Sequence, residues 1–365
     1  MKPSTQLLAF VEEKKLPWIY YSPERGRMVI VIDNHLLSIY RACPQYFMHY
    51  AVEGWRKRGV NGQGRERIWF FDFGILFHKM MEEYYRIFKE PSFDLQSFAI
   101  DSAFKNWTEM EMDYHLSHKE CQAMGGYPGF AGMLIQYALQ FKAENERMTV
   151  LATEVSFGKG LEVPVYVWGS DADSDTGIFS YADIFLSGRL DILADDGAFI
   201  LPLDHKTCSF RTGRDPMRRY VNDDGPTGYV YSLSKILPSI VPEDMILKRQ
   251  CNRISMNLIS KSIPKEGPRF KRLALYKSEE VLRAYRYRQI ATCNNLLSDL
   301  DAYVRGLGTP RNTRLCTDWY YQECTYIDVC RQQDRAGEQA TLENSFRILP
   351  VWDTEAMQGV VEPED

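Results

Sequence analysis

The sequence has no strong charge of either sign: 44 Lys and Arg stand against 49 Asp and Glu, leaving a net charge of −5. Nothing global therefore points to a nucleic acid, and a polyanion would have to meet a local basic surface. Long apolar runs are missing too. Those present, such as Gly132 to Phe141, are short and interrupted, which argues against a helical membrane span. The first residues, MKPSTQLLAFVEEKK, lack the apolar stretch of a secretory signal. There is no internal repeat and no G-x-x-x-x-G-K-[ST] loop, so the chain shows no nucleotide-driven motor signature of its own. The expectation is a soluble protein of the cytoplasm. In that compartment the eight cysteines do not make a disulfide framework; where they cluster, they point to metal.

What is present is a large apolar inventory, 45% of 365 residues, enough for one elaborate domain or two modest ones. Residues 1–34 are mixed, with a β-like run at Met28 to Ile32. Helical character starts near Leu36, and Pro44 fits the first turn of a new helix better than the middle of one. Residues 56–67, RKRGVNGQGRER, read as an exposed basic loop. Next comes an amphipathic helix, Phe73 to Tyr85, with Leu76, Met80, Tyr84 and Phe88 near one stripe. Residues 95–147 read as further helices broken at Gly125 to Gly132, and 150–207 as a run of strands that includes Glu154. A loop at 209–225 carries Arg211, Arg214, Arg218 and Arg219; it reads equally as a solvated loop or as a grip on a phosphodiester backbone. Thr227 to Leu237 reads as a helix with Tyr229 near its start. Met245 to Ser260 and Phe270 to Tyr276 read as strands separated by a Pro/Gly turn. A long helix follows from Ser278 to about Gly306, with Val281, Tyr285, Ile290, Leu296, Leu297 and Leu300 as core candidates. The last residues, 332–365, are polar and acidic, a tail or a late edge element.

The chemistry concentrates in Gly188 to Cys208. Period-two alternation makes this a hairpin with its turn at Asp195-Asp196-Gly197. Asp204 and Lys206 then share one face of the second strand, and Asp191 lies within reach on the first. Two carboxylates and an amine so placed can hold a hard divalent ion and position a water. Taken alone, a D-x-K is usually an ordinary surface ion pair, and a lone His78 on a helix is usually not a ligand. The second concentration is Cys316, Cys324 and Cys330, spaced C-x7-C-x5-C. Thiolates at that density suit zinc or an iron–sulfur cluster. The segment offers no fourth cysteine. Cys121, Cys208, Cys251 and Cys293 lie in less distinctive contexts, and Cys43, beside Pro44, would tie the two ends of the chain together if it joined the three.

The order Cys43-Pro44, Gly74-x-x-x-His78, Glu154, Gly188-Arg189-x-Asp191, Asp204-x-Lys206-Thr207, Tyr229, then Cys316, Cys324 and Cys330 resembles the RecB-type branch of the PD-(D/E)XK nucleases. Within it, the pattern is similar to the iron–sulfur members: Cas4-type exonucleases, the AddB nuclease domain and Cas4-like phage proteins. The resemblance covers residues 38 to about 331. It implies that His78, Asp191 and Asp204 bind a divalent metal, Mg²⁺ or Mn²⁺, together with the carbonyl of His205. It implies that Lys206 assists the attacking water, and that Glu154 orients the site or binds a second metal. It also implies that Tyr229 touches DNA and that Cys43, Cys316, Cys324 and Cys330 hold a structural [4Fe-4S] cluster.

The implied fold is α/β: a restriction-endonuclease-like central mixed sheet over 149–277, flanked by helices, with a helical part at 35–148. The helix at 278–306 and the cysteine segment at 309–331 would complete a nuclease domain over 35–331, between an N-terminal segment (1–34) and a C-terminal tail (332–365). The implied activity is a metal-dependent DNA exonuclease acting on single strands or DNA ends, in the host cytoplasm if phage-encoded. The rival reading is an idle, cluster-bearing DNA-binding subunit in recombination or CRISPR-type spacer acquisition, and a third is a zinc-stapled interaction protein. Three departures bear on these readings. Gly225 stands where the family often has Gln. The cysteine spacing is x7 where many Cas4 proteins have x2, which keeps zinc or a different fourth ligand open. Pro202 interrupts the second strand, which should kink it or leave it locally unpaired.

Overall fold

The structure, a computed structural model, describes residues 4–57, 69–114, 126–158, 161–169, 180–208, 220–221, 223–260, 269–312, 324–332, 334–349 and 351. The chain falls into two compact units. One comprises 67–155 and 189–278; the other comprises 1–66, 156–188 and 279–365. In chain order the longer elements are α1 (Thr5–Lys14), β1 (Ile19–Ser22), β2 (Arg27–Ile32), α2 (Asn34–Ala42), β3 (Trp55–Lys57), α3 (Trp69–Ile87), α4 (Leu95–Tyr114) and α5 (Gly126–Gln140). Then come β4 (Thr149–Phe157), β5 (Val163–Tyr166), β6 (Ala182–Leu186), β7 (Gly188–Asp195), β8 (Ile200–Cys208) and α6 (Asp224–Ile236). Last are β9 (Arg253–Ser260), β10 (Phe270–Tyr276), α7 (Glu279–Val304), α8 (Arg335–Ser345) and β11 (Phe346–Ile348).

The first unit is built on a mixed five-stranded sheet in the order β10-β9-β8-β7-β4. The hairpin pairs β7 with β8 antiparallel, β8 runs parallel to β9, and β9 and β10 form a second antiparallel pair. Its core lies between the sheet and α3–α5. Leu76, Met80 and Tyr84 of α3, one turn apart, meet Phe130 and Leu134 of α5 and Leu203 of the sheet, and Phe88 packs half-buried against them. This is the apolar stripe expected of an amphipathic helix lying on a sheet. The hairpin turn is set by side chains: Asp195 accepts from the Gly197 amide at 2.7 Å and Asp196 from the Phe199 amide at 2.8 Å, with Gly197 at φ +92°.

The second unit holds a four-stranded sheet, β1-β2-β6-β5, with β2 and β6 parallel, and a two-stranded sheet of β11 and β3. Helix α2 begins at the cap Asp33, whose carboxylate accepts from Leu36 N–H at 2.7 Å. A short helix, Pro44–Phe47, follows with Pro44 in its first turn, and a π-helical turn, Met48–Val52, continues it. In α7, Tyr285, Ile290, Leu296, Leu297 and Leu300 are buried as their spacing requires, but Val281 is 41% exposed.

Several expectations need correction. The strands of 150–276 do not form one sheet: β5 and β6 leave to join β1 and β2. All five residues of β6 are buried, and both of its edges are paired, to β2 and β5. The strand expected from Met245 begins only at Arg253. Glu243–Leu247 is a short helix instead, favoured by Glu243 and Asp244 in its first turn. Strand β8 runs unbroken through Pro202, which lies opposite Leu193 before pairing with β9 begins at Leu203. Within 332–365, read as a tail or a late edge element, Arg335–Ser345 forms α8 and Phe346–Ile348 forms β11, a late strand paired with β3, in keeping with the second of those readings. No helix among the described residues is long and apolar enough to cross a membrane.

Candidate active site

Pairing between β7 and β8 stops at Ile192 and Leu203. Asp191 and Asp204 are the next residues on each strand, so both carboxylates stand where the two strands part. At this fork the backbone N–H of His205 donates to Asp191 Oδ2 at 2.7 Å, a side chain taking the place of a ladder carbonyl. The Gly-Arg pair that opens β7 has a steric reason: a Cβ at Gly188 would lie 2.4 Å from the Phe157 ring, so no side chain fits there.

Helix α3 brings His78 to the fork. Gly74, one turn earlier, lies against Thr207 of β8; a Cβ there would stand 3.2 Å from the Thr207 hydroxyl. The absent side chain lets the helix approach the strand, and His78 Nδ1 comes 3.4 Å from Asp191 Oδ2. Burial alone would raise the Asp191 carboxyl, but the charge of His78 and the hydrogen bonds it receives outweigh this and hold it well below the usual range. His78 is raised in turn: burial opposes its charge, and Asp191 more than compensates.

On β8, Lys206 Nζ donates to Asp204 Oδ1 at 2.8 Å. Asp204 is 1% exposed, and burial pushes its carboxyl up to about 6 despite the lysine. Burial opposes the Lys206 charge, but Asp204, Tyr229 and Asp191 raise its pKa; the side chain remains 39% exposed, so solvent moderates the effect. Tyr229 lies on α6, whose cap Asp223 accepts from the Gly225 amide at 2.9 Å. Gly225 and Tyr229 are therefore one turn apart on that helix.

Glu154 adopts φ +51° within β4, a left-handed conformation rare outside glycine. Its carboxylate pairs with Arg189 at 2.6 Å. Burial pushes it up to about 6, with Arg189 pulling down and Asp191 and Glu82 pushing further up. Glu82, one turn after His78 on α3, is a neighbour that motif reading passes over; its i+4 spacing from His78 was the available signal.

One oxygen at the fork has no protein partner: Asp204 Oδ2 is buried and makes no hydrogen bond among the described residues. An unpartnered buried carboxylate oxygen beside a second carboxylate suits a hard cation. The imidazole is less ready, since His78 and Asp191 face each other. Among the described residues no group of three or more His, Cys, Asp or Glu side chains converges closely enough to hold a metal ion. Donor chemistry fits a divalent ion; closing His78 around it would need the His78–Asp191 pair to part.

The cysteines belong to the other unit. Cys43 and Cys324 are buried and Cys330 is half-buried, while Cys316 lies outside the described residues, as do Arg211, Arg214, Arg218 and Arg219. The segments carrying the thiols are drawn together by backbone. Gln45 N–H donates to the Pro310 carbonyl at 3.1 Å, and Asn312 Nδ2 to the Ala42 carbonyl at 3.0 Å. Arg311 Nη1 donates to the Cys330 carbonyl at 3.2 Å.

Residues 36–331 match the model of the PD-(D/E)XK nuclease superfamily. No curated protein matches. A solved structure titled "Crystal structure of SSO0001" aligns with 67% of this chain and 91% of its own, at 12% identity and a TM-score of 0.25, too low to establish a shared fold. The superfamily match indicates a metal-dependent nuclease, and spans the fork, α3 and the cysteine segments alike. The chain belongs to the PD-(D/E)XK nuclease superfamily.

Proposed function

We propose that this chain is a DNA exonuclease of the RecB-type, Cas4-like branch, hydrolysing phosphodiester bonds of single strands or DNA ends with Mg²⁺ or Mn²⁺. The observation that carries this reading is the strand fork, where Asp191, Asp204 and Lys206 stand together with His78 beside Asp191. A phosphodiester is an anion with a poor leaving group, so hydrolysis needs positive charge and an activated water. A divalent ion held by Asp191, Asp204, the His205 carbonyl and His78 would supply both. Lys206 holds its ammonium beside Asp204, where it can orient the attacking water and offset developing charge. Glu154, whose carboxyl burial pushes up to about 6, orients the same water or takes a second ion. Tyr229 and the basic segment with Arg211, Arg214, Arg218 and Arg219 grip the backbone. Cleavage of labelled single-stranded DNA with Mn²⁺ tests the assignment: Lys206→Ala and Asp204→Ala should abolish it, and undiminished cleavage by either would sink it.

Cys43, Cys316, Cys324 and Cys330 are proposed to hold a structural [4Fe-4S] cluster. The support is the set of bonds that ties 42–45 to 309–312 and on to Cys330. Iron and sulfide quantitation after anaerobic purification decides between this cluster and zinc. A second reading, an idle cluster-bearing subunit working with a helicase or recombination partner, draws on Gly225 in place of the family Gln. DNA binding without cleavage under any divalent metal would favour it.

A further inference from the structure

The mechanism above uses the backbone of His205 and leaves its side chain unexplained, although that side chain is fully buried. It points to the side of the sheet that carries α3 and α5: its ring lies 5.8 Å from Tyr85 and 6.1 Å from Tyr137. In the strand register His205 is the partner of Asn257, and Asn257 is the partner of Arg272. The three side chains therefore form one row across β8, β9 and β10.

Hydrogen-bond roles along this row follow from the end that has no choice. Arg272 can only donate. Its Nε lies 2.8 Å from Asn257 Oδ1, so the oxygen of the amide must face it. The amide nitrogen then faces the ring and lies 3.2 Å from His205 Nε2. An amide nitrogen donates, so Nε2 must accept and carries no proton. The single ring proton is left on Nδ1, which stands 3.4 Å from Asp191 Oδ2, an ion-pair distance without hydrogen-bond geometry, and makes no hydrogen bond among the described residues. Arg272 is itself held: its Nη2 donates to Tyr137 at 2.8 Å and to Tyr85 at 3.0 Å, and those two hydroxyls lie 2.8 Å apart.

We propose that His205 is a positioning residue whose side chain, set in the Nδ1–H tautomer by Arg272 through Asn257, keeps its one ring proton on the Asp191 side and steadies that carboxylate at the strand fork electrostatically. The row is a transmission of orientation: one donor-only contact from the far strand fixes the amide on the middle strand, and the amide decides where one proton sits at the near one. Outer partners that orient a ligand in this way typically matter ten- to a hundredfold in metal affinity or rate. The inference rests on the nuclease reading for its consequence, but its central claim, a tautomer, does not depend on activity.

The test has two arms. The first is the ¹⁵N NMR of selectively labelled histidine in the full chain, whose six histidines make assignment by single replacement practical. His205 should show protonated Nδ1 and bare Nε2; the opposite tautomer overturns the proposal. The second arm compares two amides. In His205→Asn the side-chain nitrogen can occupy the place of Nδ1, keeping the donor toward Asp191. In His205→Gln it reaches only the place of Nε2. Mn²⁺ affinity by electron paramagnetic resonance, and cleavage of single-stranded DNA, should be roughly tenfold weaker in Gln than in Asn. Equal values in the two variants would overturn the proposal. Wild-type protein that cleaves no DNA would remove the nuclease reading, while the tautomer and Mn²⁺ affinity would still decide the role of His205.

Discussion

Gly74 of α3 and Thr207 of β8 touch across the helix–sheet interface at a distance that leaves almost no space for a methyl group: the missing Cβ would lie 3.2 Å from the threonine hydroxyl. His78 is one turn further along the same helix, and its reach to Asp191 depends on that approach. Gly74→Val should push the helix off the strand, costing about 1–3 kcal/mol in urea unfolding and lowering cleavage of single-stranded DNA at least tenfold. Thr207→Ala should recover part of both losses when combined with it, because the two sites touch. Additive losses in the double variant would show that the two positions do not share this contact.

Glu154 presents the reverse case, a side chain kept at a backbone conformation that disfavours it. A left-handed φ of +51° costs a non-glycine residue about 1 kcal/mol or more, and the carboxylate is also half-buried beside Arg189. Glu154→Asn suits that conformation better and removes a carboxyl whose burial is unfavourable. The melting temperature should hold or rise while Mn²⁺-dependent cleavage falls. A stable variant with full activity would show that Glu154 has no part in the chemistry.

These two positions show what was legible in the sequence. The hairpin could be read because its alternation, its Asp-Asp-Gly turn and its D-x-K are all local, and the structure keeps them in register. Helix α3 could be read from the spacing of Leu76, Met80 and Tyr84. The row His205–Asn257–Arg272 could not: each residue sits on a different strand, and its meaning arises only when β8 lies parallel to β9 in one register. The same holds for β6, an apolar pentapeptide like several others, whose partner β2 lies some 150 residues earlier. The family position points to Glu154, but its left-handed backbone has no signature in a Val- and Thr-rich strand.

Acid should destabilise the protein partly through His205. Burial lowers its pKa to about 4, against 6.5 for the ordinary imidazole. The unfolded chain therefore binds the proton more readily, so this contribution to stability is complete above pH 6.5 and is lost as pH falls toward 4. Over that window it amounts to about 3 kcal/mol at most. Asp204 and Glu154, both pushed up to about 6 by burial, work in the opposite sense: their contribution is present below the unfolded carboxylate range and lost as pH rises through 6. The histidine part is isolated by difference. Between pH 7 and pH 4, urea unfolding of the wild type should lose more stability than that of His205→Asn, which has no proton to gain at that position. Parallel curves would mean that the imidazole is not held neutral.

The cysteines can be separated by their surroundings. Cys293 is fully buried on α7, and burial pushes its thiol up to about 12, so it should be a poor thiolate donor. Cys43 lies at the junction of α2 and Pro44–Phe47, between backbone groups that bond to Pro310 and Asn312. If a cluster joins these segments, Cys43→Ser should remove the brown colour and the absorbance near ~400 nm. It should also lower the melting temperature, because metal binding energy is folding energy when the ligands come from distant parts of the chain. Cys293→Ser should keep the colour, whatever it costs in packing. Protein with stoichiometric zinc and no iron would replace the cluster by a tetrahedral thiolate site, and the same pair of variants would then be read by zinc content. Retention of full metal content by Cys43→Ser would remove Cys43 from the ligand set, leaving the bonds between 42–45 and 309–312 to hold the two segments by themselves.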